Sequence, residues 1–230
     1  MVQPMTVADR QIEEHMQYQN QTLLHYVIHY PRLSSTVFPQ TARLLNQHFE
    51  QKAREHEKYF REHLFTDAKD QYNYAKSAGY PIRAYEALVT YTVTYNLGCV
   101  FSLYFDQYEF TGGAHGNTVR HAENWELVQP TLMPLSSLFP PGTDYERRIL
   151  AAIQQRIQAQ ASSDPIFFPD YAKLIKQYFE SSQYYLVPDG MYIFYQLYQI
   201  APYVLGIPTF QIPMNAVGAA IPPCRQGRHI

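Results

Sequence analysis

The sequence predicts an α+β fold: a long helix packed on an antiparallel β meander, followed by a second, smaller α+β subdomain. Three observations carry this. Apolar residues recur at helical spacing from Leu45 to Leu64, an alternation of period two runs through Ala87–Leu97 and its neighbours, and the pattern changes after Gln129-Pro130.

The elements follow in chain order. After a polar start, Leu24, Tyr26, Ile28 and Tyr30 alternate within Leu23–Tyr30, which predicts a strand closed by Pro31. Ser34-Ser35-Thr36 begins a turn. Leu45, Phe49, Ala53, His56, Phe60 and Leu64 then mark one face of a helix that continues to about Ser77 and stops at Gly79-Tyr80-Pro81. A helix this long with a single apolar stripe is expected to lie across a sheet. In Ala87–Leu97, Val89, Tyr91, Val93 and Tyr95 oppose Thr90, Thr92 and Thr94. Asn96-Leu97-Gly98 predicts a hairpin into Val100–Phe110, and a glycine-rich turn leads on to Thr118–Val128. Gln129-Pro130 turns the chain toward Leu132.

Beyond Leu135–Pro141, a short apolar turn region, Thr143 or Asp144 caps a helix whose Ile149, Ile153 and Ile157 share a face, ending near Ser162-Ser163. Asp164-Pro165 breaks the chain, and Tyr171–Phe179 reads as a short helix. Tyr184–Val187 and Met191–Tyr198 flank Pro188-Asp189-Gly190 as a hairpin, and Thr209–Met214 is a last strand after a loop. The predicted division is 11–130 and 131–217 for the two subdomains, with 218–230 as a disordered tail.

Bulk properties narrow the function. The 230 residues are 46% hydrophobic, enough to bury a core. The net charge is -2, and Lys52–Arg61 interleaves basic residues with Glu as a solvated helix face does, so nucleic acid is not an expected partner. No apolar run approaches a membrane span, and Met1–Pro4 fits a start downstream of a leader or anchor; membrane contact is expected only through an anchor absent from this chain. Tyrosine is abundant, 21 against a single Trp, which suits both sheet cores and contact surfaces. Cys99 lies in a strand-like run and Cys224 in a polar tail; a disulfide between them is possible but not implied.

The stretch with most chemical promise is Tyr108-Glu109-Phe110-Thr111-Gly112-Gly113-Ala114-His115-Gly116-Asn117. Glycines crowd around one histidine between two strands. Thr111 and Thr118 are poor nucleophiles, and no Gly-x-Ser-x-Gly elbow or phosphate-cradling motif occurs. His115 and His121 with Asp106 and Glu109 match no trusted metal spacing, so neither metal nor cofactor is expected. The turn either shapes a bulged connection, with His115 bonded locally, or contacts a ligand through Tyr108, Gly112, Gly113, His115, Gly116 and Asn117 together with Tyr198 and Tyr203.

Four elements in order carry a family resemblance. They are Tyr108–Asn117; Leu135-Ser136-Ser137-Leu138-Phe139; Asp189-Gly190 with Tyr192–Tyr198; and Tyr198-Gln199-Ile200-Ala201-Pro202-Tyr203 with Gly206 and Ile212-Pro213. From about residue 11 to 217 the chain resembles bacterial extracytoplasmic modules that pair a DUF4163-type with a DUF3298-type region. That family includes the extracellular part of RsiV-type anti-sigma factors, which bind lysozyme, and the non-catalytic N-terminal region of PdaC-like peptidoglycan deacetylases. Gln129-Pro130-Thr131 departs from the commoner Thr-Gly turn of the family. The resemblance implies a non-catalytic binding or sensing module outside the cytoplasm, directed at a peptidoglycan fragment or a lysozyme-like protein. The competing expectation is a wall-modifying enzyme using His115 with a nearby carboxylate.

Overall fold

The computed structural model describes residues 3–161 and 166–224. They form two compact units of interleaved segments, one from residues 5–91 and 105–119, the other chiefly from 92–104 and the chain after 120. A six-stranded sheet has the order β1-β2-β3-β4-β5-β6, and a three-stranded sheet the order β7-β8-β9. The α+β architecture is as predicted.

In the first unit, β1 (Thr6–Tyr18) and β2 (Gln21–Ser34) form a long antiparallel ribbon. Gln19 and Asn20 connect them, both at positive φ (48° and 61°), the signature of a two-residue turn whose twist matches its strands. β1 is absent from the predicted elements, and β2 runs past Pro31, which was expected to close it. The register of β2 with β3 (Tyr85–Leu97) ends at Ile28 opposite Val89. The missing Pro31 N–H therefore interrupts no bond to β3, and the strand continues. β2 and β3 are parallel, so the chain between them must cross over, and it does so as a helix.

That helix comprises α1 (Pro39–Tyr59), a π-helical turn (Phe60–Leu64) and α2 (Phe65–Ala78). Ser35 Oγ accepts the Val37 and Phe38 amides at its entry. Asn46 then pairs with Leu33 as a strand would, accepting the Leu33 N–H at 2.7 Å and donating to its carbonyl at 2.9 Å. Leu45, Phe49, Ala53, Phe60, Leu64, Ala68 and Tyr72 are buried, together with Leu24, Tyr26 and Ile28 of β2. The Tyr26 and Phe60 rings lie 5.5 Å apart. Leu45 and Tyr72 are separated by about seven and a half ideal helical turns, which would put them on opposite sides. The wide π turn takes up residues without rotating the face fully and brings the C-terminal half of the stripe back toward the core.

The second unit contains the C-terminal part of β3, the start of β4 (Val100–Phe110), and most of β5 (Asn117–Glu126), with β6 (Thr131–Leu132) antiparallel to β5. Glu126 accepts the Val128 and Gln129 amides, fixing the Gln129-Pro130 turn. Val100–Leu103 is buried on both faces, so a polar residue there needs partners. Ser102 has them. It donates to Asn124 Oδ1 at 2.7 Å and accepts the Leu186 amide at 3.0 Å, so the proton in its 3.0 Å bond with Thr94 comes from Thr94. Asn124 also donates to the Tyr184 carbonyl at 2.9 Å, joining β5 to β7 (Tyr184–Val187).

β8 (Gly190–Phe194) pairs antiparallel with β7 and with β9 (Thr209–Ile212). The strand expected to reach Tyr198 ends at Phe194 because the chain turns at Gln196–Gln199. A Cβ on Gly190 would sit 2.5 Å from the Ile212 carbonyl oxygen, so glycine is needed there for close backbone approach. β9 stops at Ile212 rather than at Met214 as expected, and Pro213 leads into α5 (Met214–Val217), a short helix absent from the predicted elements. α3 (Tyr145–Ala161) buries Ile149, Ile153 and Ile157 as predicted, and α4 (Tyr171–Gln177) is slightly shorter than expected. The predicted helix end at Ser162-Ser163 and break at Asp164-Pro165 lie outside the described residues.

The stretch from Gly218 to Cys224 is not the loose tail expected. Ala219 is buried, Ala220 donates its amide to Leu138, and Cys224 is disulfide-bonded to Cys99 in the β3–β4 turn. Residues 225–230 lie outside the described part.

Candidate functional site

The glycine-rich loop belongs to the first unit and is held from two sides. Gly112 has φ +82°, a backbone that β-carbon-bearing residues rarely adopt. Arg83, in the segment after α2, donates through Nη1 to the carbonyls of Gly112 (2.9 Å) and Gly113 (3.1 Å). At the other end the Tyr108 ring covers Gly116 so closely that an added Cβ would come within 2.2 Å of Cε2. Gly116 is buried beneath it while Thr111, Gly113, Ala114, His115 and Asn117 are exposed. The glycines thus serve one special φ and one close approach.

His115 Nδ1 lies 2.9 Å from the Gly116 carbonyl. A carbonyl only accepts, so Nδ1 carries the proton and Nε2 is the basic nitrogen. The orienting group in this bond is a neutral backbone oxygen rather than the carboxylate of a catalytic dyad. Glu109, the adjacent carboxylate, accepts from Gln107 Nε2 at 2.6 Å and lies 3.5 Å from the Tyr59 hydroxyl. Burial, and then Glu109, pushes the Tyr59 phenol above its ordinary range. Arg83 escaped the sequence reading because no local pattern links it to a loop about thirty residues later.

Tyr198 and Tyr203 belong to the second unit. Gln199 N–H bonds to the Gln196 carbonyl (3.2 Å), closing a four-residue turn, and the Gln196 amide donates to Gln199 Oε1 at 2.7 Å. Gln196 also pairs with the backbone of Arg120 in both directions, at 3.0 and 2.7 Å. Tyr198 occupies the third turn position at φ +64°, where glycine or asparagine is normally favoured. Its side chain is 52% exposed, and the Tyr203 ring lies 5.8 Å away. The next residue, Val204, is 83% exposed. Arg120 sits 3.8 Å above the Tyr104 ring, which continues into Tyr185 (5.0 Å) and Tyr192 (5.1 Å). A firmly tied turn therefore presents a rigid aromatic surface beside an exposed apolar residue. Tyrosines in such positions offer an apolar face and a wet hydroxyl together.

Comparisons with known proteins place these two surfaces in two matched regions. Residues 17–118, including the loop through Gly116, match the family model described as Deacetylase PdaC. Residues 136–215, including Tyr198 and Tyr203, match the family described as a protein of unknown function, DUF3298. The chain is 22% identical over 123 residues to the peptidoglycan-N-acetylmuramic acid deacetylase PdaC of Bacillus subtilis strain 168. That match covers 53% of this chain but 26% of the relative, so the chain spans about a quarter of that enzyme's length. Among solved structures, a DUF3298 family protein from Pseudomonas aeruginosa PAO1 superposes with TM-score 0.60 at 18% identity, covering 99% of both chains. A DUF3298 family member from Bacteroides fragilis NCTC 9343 gives TM-score 0.68 at 17% identity, covering 96% of this chain and 95% of the other. Residues 17–118 thus resemble PdaC and residues 136–215 resemble DUF3298 proteins, on the fold shared with these solved structures.

Proposed function

We propose that this chain is a non-catalytic extracytoplasmic module that binds cell-wall glycan through the aromatic turn at Tyr198. The observation that carries this reading is a tyrosine kept where the backbone favours glycine. A left-handed residue with a Cβ costs about 1–2 kcal/mol. Spending that on an exposed ring braced by Tyr203 is the pattern of a contact residue rather than of packing. Sugar rings present apolar faces to tyrosine and hydroxyls to the surrounding amides, and the named relative acts on peptidoglycan. The rigid loop at Gly112–Asn117 supplies a second exposed polar surface. The Cys99–Cys224 bond fits an oxidising compartment.

The test is co-sedimentation with purified peptidoglycan alongside thermal unfolding. Tyr198→Gly relieves the backbone cost, so it is expected to raise stability by roughly 1 kcal/mol while weakening binding. Tyr203→Ala is expected to weaken binding with little effect on the turn. Unchanged binding in both variants overturns the assignment of the surface. Lysozyme capture without glycan binding transfers the role to a protein partner. Turnover of peptidoglycan fragments, detected by mass spectrometry and lost in His115→Ala, replaces the binding reading with the enzymatic one.

A further inference from the structure

We infer that the outer face of the β1–β2 ribbon holds a binding site for a divalent transition-metal ion of the zinc or copper class, formed by His15, His25 and Glu13. These residues are the one group of three or more potential donors, among the described residues, whose ligand atoms all lie within 4.8 Å of one another. The geometry follows from register. His15 and His25 are directly opposed across the antiparallel pair, and Glu13 is two residues before His15, hence on the same face. The neighbours on the other parity, Tyr26 and Leu24, are buried beneath the long helix, so this face points away from the core.

The distances suit coordination. Glu13 Oε1 lies 3.1 Å from His25 Nε2 and 3.8 Å from His15 Nε2. Two ligands about 2.0–2.1 Å from a tetrahedral ion are separated by roughly 3.3 Å, so the observed gaps need only small side-chain adjustment. The two imidazoles are parallel within 1° at 4.0 Å, and both place Nε2 toward the same carboxylate. In-plane lone pairs on parallel rings do not converge, so an ion is bound by both once one imidazole turns out of the stack, and the carboxylate offsets its charge. Two imidazoles and one carboxylate select zinc, copper or nickel over calcium or magnesium. Exposure of all three side chains leaves the remaining positions to water or to a donor from a bound molecule. Glu86 of β3 stands in register with His25 and adds a further carboxylate to this face. A bulge between Met16 and Gln17, immediately after His15, is the kind of irregularity that re-aims a neighbouring side chain.

The site escapes spacing rules because its two histidines lie in separate strands, the first of them with no clear sequence signature. It is independent of the glycan surface proposed above. The experiment is titration calorimetry of the tag-free chain with Zn²⁺, Cu²⁺ and Mg²⁺, followed by metal analysis after dialysis. One Zn²⁺ or Cu²⁺ per chain is expected, with no Mg²⁺. His15→Gln and His25→Gln are each expected to weaken binding by roughly tenfold or more, and Glu13→Gln to weaken it less. His29→Gln, an exposed histidine paired with Asp9 at 2.8 Å on the same ribbon, is expected to retain it. All four positions are at the surface, and circular dichroism checks that the variants fold. Absence of binding in the parent chain, or equal loss in His29→Gln, overturns the inference.

Discussion

Asn124 is a buried polar junction of the second unit. It is 3% exposed and serves Ser102, Leu186 and Tyr184 through one side chain. Its amide replaces a ladder of strand hydrogen bonds that β5 and β7 do not otherwise share. In Asn124→Ala the Tyr184 carbonyl loses its donor and the Ser102 hydroxyl its acceptor, both in a buried setting. The expected cost is about 2–4 kcal/mol in urea unfolding. Asn124→Asp is expected to be at least as damaging, since a carboxylate oxygen would face the Tyr184 carbonyl. Ser102→Ala is expected to cost less, because Leu186 keeps Asn124 Oδ1 at 3.2 Å as acceptor.

Among the elements, the π turn at Phe60–Leu64 is what lets one stripe run the length of the crossover helix. Removing the exposed Glu62 would restore a uniform α-helix while leaving Leu64, Ala68 and Tyr72 on the face of Leu45 and Phe49, because the π turn already absorbs about one residue's 100° of rotation. A stability change within about 1 kcal/mol is expected in thermal unfolding, with helix content by circular dichroism nearly unchanged. The stripe itself was legible in the sequence, since every apolar residue in it is four positions from the next or nearly so. The π turn was not, because no residue type announces it. β1 was illegible for a different reason. Its inward parity carries Arg10 and Glu14, and Glu14 is spent on a polar cluster with the Tyr26 hydroxyl and the Arg61 guanidinium, which breaks the alternation. At the aromatic turn, Tyr198 and Tyr203 were visible as aromatics in a loop, whereas the positive φ at Tyr198 accompanies the ties of Gln196 to both Arg120 and Gln199.

For the whole molecule, the tyrosines set the alkaline limit. Among the described residues, Tyr26, Tyr59, Tyr85, Tyr91, Tyr95, Tyr184 and Tyr195 have phenols raised above the ordinary value of 10.0, with burial the largest cause in each. Tyr26 and Tyr91 are pushed up to about 12, helped by Glu14 and Asp9 respectively. A raised phenol keeps its proton in the folded chain after the unfolded chain has lost it. Stability is therefore intact below about pH 10 and falls between roughly pH 10 and 12, as protons leave the unfolded state. Melting temperature measured across that range should drop steeply, and the share of tyrosinate absorbance that belongs to these phenols should develop in step with unfolding. Reduction of the Cys99–Cys224 bond is expected to cost about 2–5 kcal/mol at neutral pH, read as a lower melting temperature in reductant.

The same bond has a mechanical consequence. It joins residues 125 positions apart, so everything from the start of β4 to the end of α5 sits inside a closed covalent ring. Tension entering the chain beyond Cys224 passes through the sulfurs to the β3–β4 turn and bypasses the three-stranded sheet. Roughly 400 Å of contour length is thereby withheld from extension until the bond is reduced. A module working under load would keep its Tyr198 surface assembled while the N-terminal ribbon carries the strain.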